Sequence, residues 1–222
     1  TNVASEPKHL EDPISKNFSF ATQFLKDEVN NCDQERTLST IRTSDKTAYY
    51  FDVFRSNSLD ENKFHDYIYH NIGDETVIEN IKGDVLSLKE TNRYQNDIGD
   101  PVQSPGWRYF ENTQVTKPIK EAINIKFLIK DDNRYMYVFF PEGIEREYTK
   151  AIAPPTREAE NEYIEKPTQV LAVRQQGEAW NRPFITVFEP SIKDKSSVQN
   201  VEPLTDGHEI VGAKVVSKVK NT

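Results

Sequence analysis

The feature that most limits what this chain can fold into is a succession of short runs in which β-branched and aromatic residues recur at every second position. Residues 122–130 set Ile123, Ile125, Phe127 and Ile129 on one face and Asn124, Lys126, Leu128 and Lys130 on the other, the pattern of a half-buried antiparallel strand. Asp131-Asp132-Asn133 is a hairpin signal, and 135–140 returns along it with strong β-formers. Comparable runs occupy 36–43, 47–56, 64–72, 76–81, 85–88, 107–113, 145–153, 169–175, 182–188 and 209–218. About a dozen short strands, regular turn residues such as Ser44-Asp45-Lys46, and no long amphipathic helix predict an all-β fold, a two-sheet antiparallel β-sandwich.

A length of 222 residues suffices for one such domain with a core that needs no staple. Residues 1–222 therefore read as a single β-sandwich domain. Its polar N-terminal lead-in, 1–17, is broken by Pro7 and Pro13 and is expected over the surface rather than in the core. The stretch 90–105, containing Asn96-Asp97-Ile98-Gly99-Asp100-Pro101, reads as a long surface loop, and 154–166 as a Glu-rich connection with room for one helical turn.

Several function classes are disfavoured at this stage. A net charge of −8, spread along the chain, offers no attractive field for nucleic acid. Cys32, the single cysteine, rules out an internal disulfide, and nothing basic around Asn31-Cys32-Asp33 favours a reactive thiolate. No apolar run reaches the length of a membrane span, and Thr1 in place of methionine, with no basic and apolar leader behind it, fits a trimmed chain. No Gly-x-Ser-x-Gly elbow and no phosphate-cradling loop is present.

The densest chemical cluster is Phe64-His65-Asp66-Tyr67-Ile68-Tyr69-His70-Asn71. Alternation puts His65, Tyr67 and Tyr69 on one face and Asp66, Ile68 and His70 on the other, so the histidines do not converge on a metal, and no metal site or cofactor is expected. If Ile68 marks the buried face, His65, Tyr67 and Tyr69 form a polar aromatic face suited to stacking on sugars; the alternative is that they simply cover a sheet. Trp107 beside Arg108 is a second candidate platform, with a core or sheet-edge role as its alternative. Asp52, among aromatics, needs a donor, for which an arginine of a neighbouring strand such as Arg42 is suited.

Five segments resemble, in order, the β-domains of the heparinase II/III family. They are Arg36-Thr37-Leu38-Ser39-Thr40-Ile41-Arg42-Thr43, Tyr50-Phe51-Asp52-Val53-Phe54-Arg55-Ser56, His65-Asp66-Tyr67-Ile68-Tyr69-His70-Asn71, Trp107-Arg108-Tyr109-Phe110, and Arg182-Pro183-Phe184-Ile185-Thr186-Val187-Phe188-Glu189-Pro190. The resemblance implies a secreted bacterial polysaccharide lyase, periplasmic or extracellular, that acts on uronic-acid polysaccharides with an N-terminal helical toroid and C-terminal antiparallel sheets. In such enzymes an Asn or His neutralises the uronate carboxylate, a Tyr or His removes the C5 proton, and an acid assists departure of the C4 oxygen. The family's Asn and Tyr lie mainly in the toroid, and its β-domain histidine sits on an early His-rich strand that has no counterpart before Arg36. His65 and His70 match a later strand, so no catalytic residue carries over.

The resulting expectation is a β-sandwich module of such a lyase, inactive in isolation, partnered by a helical toroid and an acidic polysaccharide, with His65, Tyr67, Tyr69, Trp107 and Arg108 as substrate-binding candidates. A non-catalytic binding module for acidic glycans, and a hydrolase using two carboxylates, are the competing classes.

Overall fold

The computed structural model describes residues 1–9, 11–61, 64–94, 106–156 and 159–218. Among them the chain is all-β, with fifteen strands, one 3-10 turn at Gly106–Tyr109 and no α-helix. The first five strands are β1 (Asn2–Glu6), β2 (Phe18–Asp27), β3 (Cys32–Arg42), β4 (Ala48–Ser58) and β5 (Phe64–Ile72). Then come β6 (Glu75–Asn80), β7 (Lys89–Glu90), β8 (Glu111–Val115), β9 (Ile123–Ile129) and β10 (Arg134–Phe140). The last five are β11 (Arg146–Ala153), β12 (Thr168–Gln176), β13 (Ala179–Ser191), β14 (Val198–Asp206) and β15 (Glu209–Ser217).

These strands form an antiparallel sandwich. The larger sheet has eight strands in the order β1-β2-β3-β4-β13-β10-β9-β6, the smaller has five in the order β5-β12-β11-β8-β7, and β14 pairs with β15 alone. The inter-sheet core follows the alternation of β9: Ile123, Ile125 and Phe127 are buried against Tyr67, Tyr148, Leu171 and Val173 of the smaller sheet. Ile129, at the strand's end, is half-buried. Strand β13 is buried on both faces from Phe184 to Phe188. Phe184 and Phe188 enter the inter-sheet core, while Ile185 and Val187 pack outward with Ile210, Val198 and Val201 of the β14–β15 hairpin. A strand covered on both sides reads as a continuous apolar run for that reason.

Chain crossings depend on particular residues. Gly73 carries the chain from β5 in the smaller sheet to β6 in the larger, and a Cβ there would lie 2.7 Å from the Leu128 carbonyl oxygen. Between β2 and β3 the Asp27 carboxylate accepts the Val29 and Asn30 amides, and Asn31 adopts φ 46°, a conformation asparagine tolerates.

Several expectations need correction. Part of the lead-in is a strand: β1 pairs with β2 at the sheet edge. Neither β2 nor β14 was anticipated. Residues 107–113 do not form one strand, because the Phe110 amide bonds back to the Trp107 carbonyl and closes a 3-10 turn before β8 begins. Residues 85–88 make only an isolated bridge at Val85. The connection at 154–166 shows turns rather than a helix, with Arg157 and Glu158 outside the described residues, as are 95–105 of the expected long loop.

The two sheets differ in size. Strands β1, β2 and β3 contribute nothing to the inter-sheet core, so the inner face of the larger sheet runs on beyond β5, the edge strand of the smaller one.

Candidate functional site

Strand β5 reverses the face assignment read from its sequence. Tyr67 is 2% exposed and His65 is buried, Tyr69 packs half-buried against the same core, and all three point between the sheets. Ile68 instead packs outward with Tyr94, Phe110, Val170 and Ala172. The physical reason is that β5 has apolar cover on both faces and that the Tyr67 hydroxyl finds an inward partner, which is what permits a tyrosine to be buried. Trp107 and Arg108 lie on the outer side of the smaller sheet, where Trp107 meets Tyr94 edge-on at 4.9 Å and Arg108 stacks over Tyr109 at 5.6 Å. The five sequence-derived candidates therefore occupy two sides of one sheet and do not form one site.

Tyr67 meets Asp52, which is 0% exposed. Its phenol donates to Asp52 Oδ2 at 2.6 Å, and Arg36 grips the same carboxylate through Nε at 3.0 Å and Nη2 at 2.6 Å. The arginine is Arg36 rather than Arg42, because Asp52 pairs with Leu38 in the β3–β4 register and Arg36 is the diagonal neighbour on that face. Hydrogen bonding to Asp52 raises the Arg36 guanidinium above its usual value. Burial, reinforced by Asp52, pushes the Tyr67 phenol well above its usual value, and burial pushes Tyr69 to about 12. Burial therefore makes both phenols harder to deprotonate than a free tyrosine, which weighs against them as proton-abstracting bases.

A serine and a histidine also meet. His65 Nδ1 lies 2.8 Å from Ser56 Oγ, itself 3.2 Å from Cys32 Sγ, and burial lowers the His65 pKa. All three residues are buried, so this chain of contacts is closed to a polymeric substrate.

The open ground is the overhang. Arg36, Leu38, Thr40 and Arg42 share the inner face of β3, beside Tyr50 on β4 and Ala21 and Ser19 on β2. With Tyr69, Met136 and Phe188 as the far wall, all of these except Arg42 border a cavity of about 550 Å³. Leu38 and Tyr50 remain 48% and 44% exposed there, and the Arg36 side chain is 44% exposed above its buried carboxylate. A second cavity of about 730 Å³ shares Ser19 and Thr40 with the first and is bordered by Lys16, Arg42 and Lys46. The two cavities adjoin along β2 and β3 and are taken together as a groove, apolar and aromatic at one end and basic at the other. Asp45 is the acidic residue on its border, and it pairs with Arg42 from a fully exposed position, where such a pair is weak. Of the sequence-derived candidates, Tyr69 alone reaches this groove; Leu38, Tyr50, Met136 and Phe188 were missed. The signal available was Leu38 among the polar residues of β3; Tyr50 lies in the aromatic run of β4 and gave none.

At the sandwich's other end a polar cavity of about 510 Å³ is bordered by Asp74, Glu75, Glu90 and Lys150. Asp74 is held by Lys166 at 2.9 Å and Glu75 by Lys130 at 2.7 Å. Burial acts to raise the Asp74 pKa, but Lys166 and the Lys130 amide bring it below the usual value. A glycosidase acid requires the opposite shift. Among the described residues no three His, Cys, Asp or Glu side chains converge as a metal site.

No family model matches this chain. It is 66% identical over 218 residues to an endo-acting ulvan lyase of Formosa agariphila. That match takes in 98% of this chain and 27% of the relative, so the chain spans about a quarter of the length of the curated protein it resembles.

Proposed function

We propose that this chain is the β-sandwich module of a polysaccharide lyase of heparinase II/III-like architecture, and that its groove holds a uronic-acid polysaccharide of the ulvan type. The observation that carries the reading is the groove itself: an exposed aromatic and apolar floor flanked by Arg36, Arg42, Lys16 and Lys46, on a chain whose net charge is −8. Sugar rings present apolar faces to Tyr50 and Leu38, and uronate carboxylates meet the guanidinium and ammonium groups. The identity with an ulvan lyase supports the same substrate class.

Elimination from a uronate requires carboxylate neutralisation, a base at C5 and an acid at the leaving oxygen. In this reading the chain supplies binding and partial neutralisation through Arg36, and the base lies elsewhere in the lyase, on a helical toroid. Because the substrate is a polymer, the work is done in the periplasm or outside the cell. A purely binding module is the second reading, favoured by the burial of Tyr67 and Tyr69, which makes their phenols harder to deprotonate.

Native electrophoresis through gels containing ulvan, alginate or a neutral glucan tests this. Retardation by the uronate polymers that fades with added salt is expected, with no ultraviolet-absorbing unsaturated product released by the isolated chain. Equal retardation by the neutral glucan, or none by ulvan, overturns the reading.

A further inference from the structure

Resting on that reading, we infer that the groove is a track with two separate cationic anchor points for acidic groups, so that the length of a glycan, rather than any one sugar, sets its affinity. Arg36 and Arg42 stand on the same face of β3, six residues apart, which at the rise of a strand places them about 20 Å apart. Between them lie Leu38 and Tyr50, both substantially exposed, and the two cavities share Ser19 and Thr40, nearer the Arg42 end of that span, as bordering residues.

The anchors differ in construction. Arg36 is immobilised: Nε and Nη2 are bound to Asp52, and Nη1 makes no hydrogen bond among the described residues. Its remaining donors are therefore fixed before a ligand arrives, which reduces the ordering cost of binding. Because Asp52 offsets its charge, this end recognises an acid by directed hydrogen bonds. At the other end Lys16 and Lys46 have no ion-pair partner among the described residues, and Arg42 is only weakly neutralised by Asp45. That end acts by net charge and attracts a carboxylate or sulfate with little geometric demand.

A disaccharide is too short to touch both anchors, whereas an octasaccharide spans them. Once one acid is bound at Arg36, engagement of the basic end is intramolecular, and affinity rises without any new kind of contact. The same geometry suits binding within a long chain rather than at its terminus, since neither end of the groove needs a chain end.

Titration calorimetry with the disaccharide and octasaccharide fractions of ulvan tests the proposal. The octasaccharide should bind more than tenfold more tightly. In the double variant Arg42→Ala, Lys46→Ala, its advantage should shrink about threefold to tenfold, as loss of exposed charge pairs implies. The pair Lys16→Ala, Lys46→Ala, which leaves β3 unaltered, should act in the same direction if the first variant folds poorly. Equal affinity for both fragments, or a proportional loss for both in the variants, overturns the two-anchor track. If ulvan still retards the chain in a gel while neither fragment binds, this inference alone falls; absence of retardation removes the reading beneath it as well.

Discussion

Replacing Tyr67 with phenylalanine removes a short hydrogen bond to a buried charge beneath the groove. The ring is buried against Phe140 and Phe184, with centroids 5.8 and 5.7 Å away, and phenylalanine keeps that packing. What is lost is chiefly the 2.6 Å bond to Asp52, together with the longer 3.5 Å contact the hydroxyl accepts from Arg36 Nη2; Asp52 is 0% exposed and retains only Arg36 as partner among the bonds described. A hydrogen bond to a charged group is worth about 1.5 to 3 kcal/mol, so Tyr67→Phe should cost about 2 kcal/mol. In a chain of this size that lowers the melting temperature by about 4 to 8 °C. Because the bond ends on Asp52, the cost should shrink by more than half in an Asp52→Asn background, a coupling that a double-mutant cycle in urea measures directly. A cost below about 0.5 kcal/mol, or one unchanged by Asp52→Asn, would refute the reasoning.

Three further outcomes are expected. Phe127→Ala empties the centre of the core and should cost about 3 to 5 kcal/mol in a denaturant melt, with Ile129→Ala, at the half-buried strand end, costing clearly less. Gly73→Ala sets a methyl against the Leu128 carbonyl oxygen and should cost about 1 to 3 kcal/mol, whereas Gly83→Ala meets no atom within 4 Å and owes any cost to its positive φ. Burial holds His65 below the ordinary 6.5, so on acidification the unfolded chain takes up the proton first. The His65 contribution is present above about pH 6.5 and is lost as pH falls from there through the lower folded value; thermal melts across that range should show less loss in His65→Gln.

Much of the fold was legible because the inter-sheet core obeys period two. The β9–β10 hairpin followed from Ile123, Ile125 and Phe127 and the Asp131-Asp132-Asn133 turn. Where the reading failed, tertiary cover was the cause. Strand β5 has apolar residues on both faces, and it is the packing of Tyr94 and Phe110 against Ile68 that decides which face is outer. The partner of Asp52 depends on the register of β3 against β4, which composition does not encode. Strand β14 was obscured by Pro203 and its polar neighbours, although β2 did carry Phe18, Phe20 and Phe24 at alternate positions. The groove was the least legible element, because it arises from a difference in size between two sheets. Even so, 36–43 and 50–56, two of the segments that resemble the lyase β-domains, supply its Arg36, Leu38, Arg42 and Tyr50.

The treatment of the larger sheet's two faces is what separates a binding surface from incomplete packing. On β4, Phe51 and Val53 point outward and are covered by the β14–β15 hairpin, so the chain does close apolar surface on these strands where it is not needed. Tyr50, one residue earlier and on the inner face, is left 44% exposed beside Leu38 at 48%. Burying such side chains stabilises by about 1.5 to 3 kcal/mol each, and the fold forgoes that gain on the face where cations flank the floor. Defective packing has no reason to place Lys16, Arg42 and Lys46 at one end of the exposed strip and an arginine fixed by a buried carboxylate at the other. In the proposed reading an apolar strip bounded by cations complements an acidic glycan, with ring faces expected at its centre and carboxylates towards its ends. The binding reading therefore rests on the conjunction of uncovered aromatic surface and its charge border, and either alone would be insufficient.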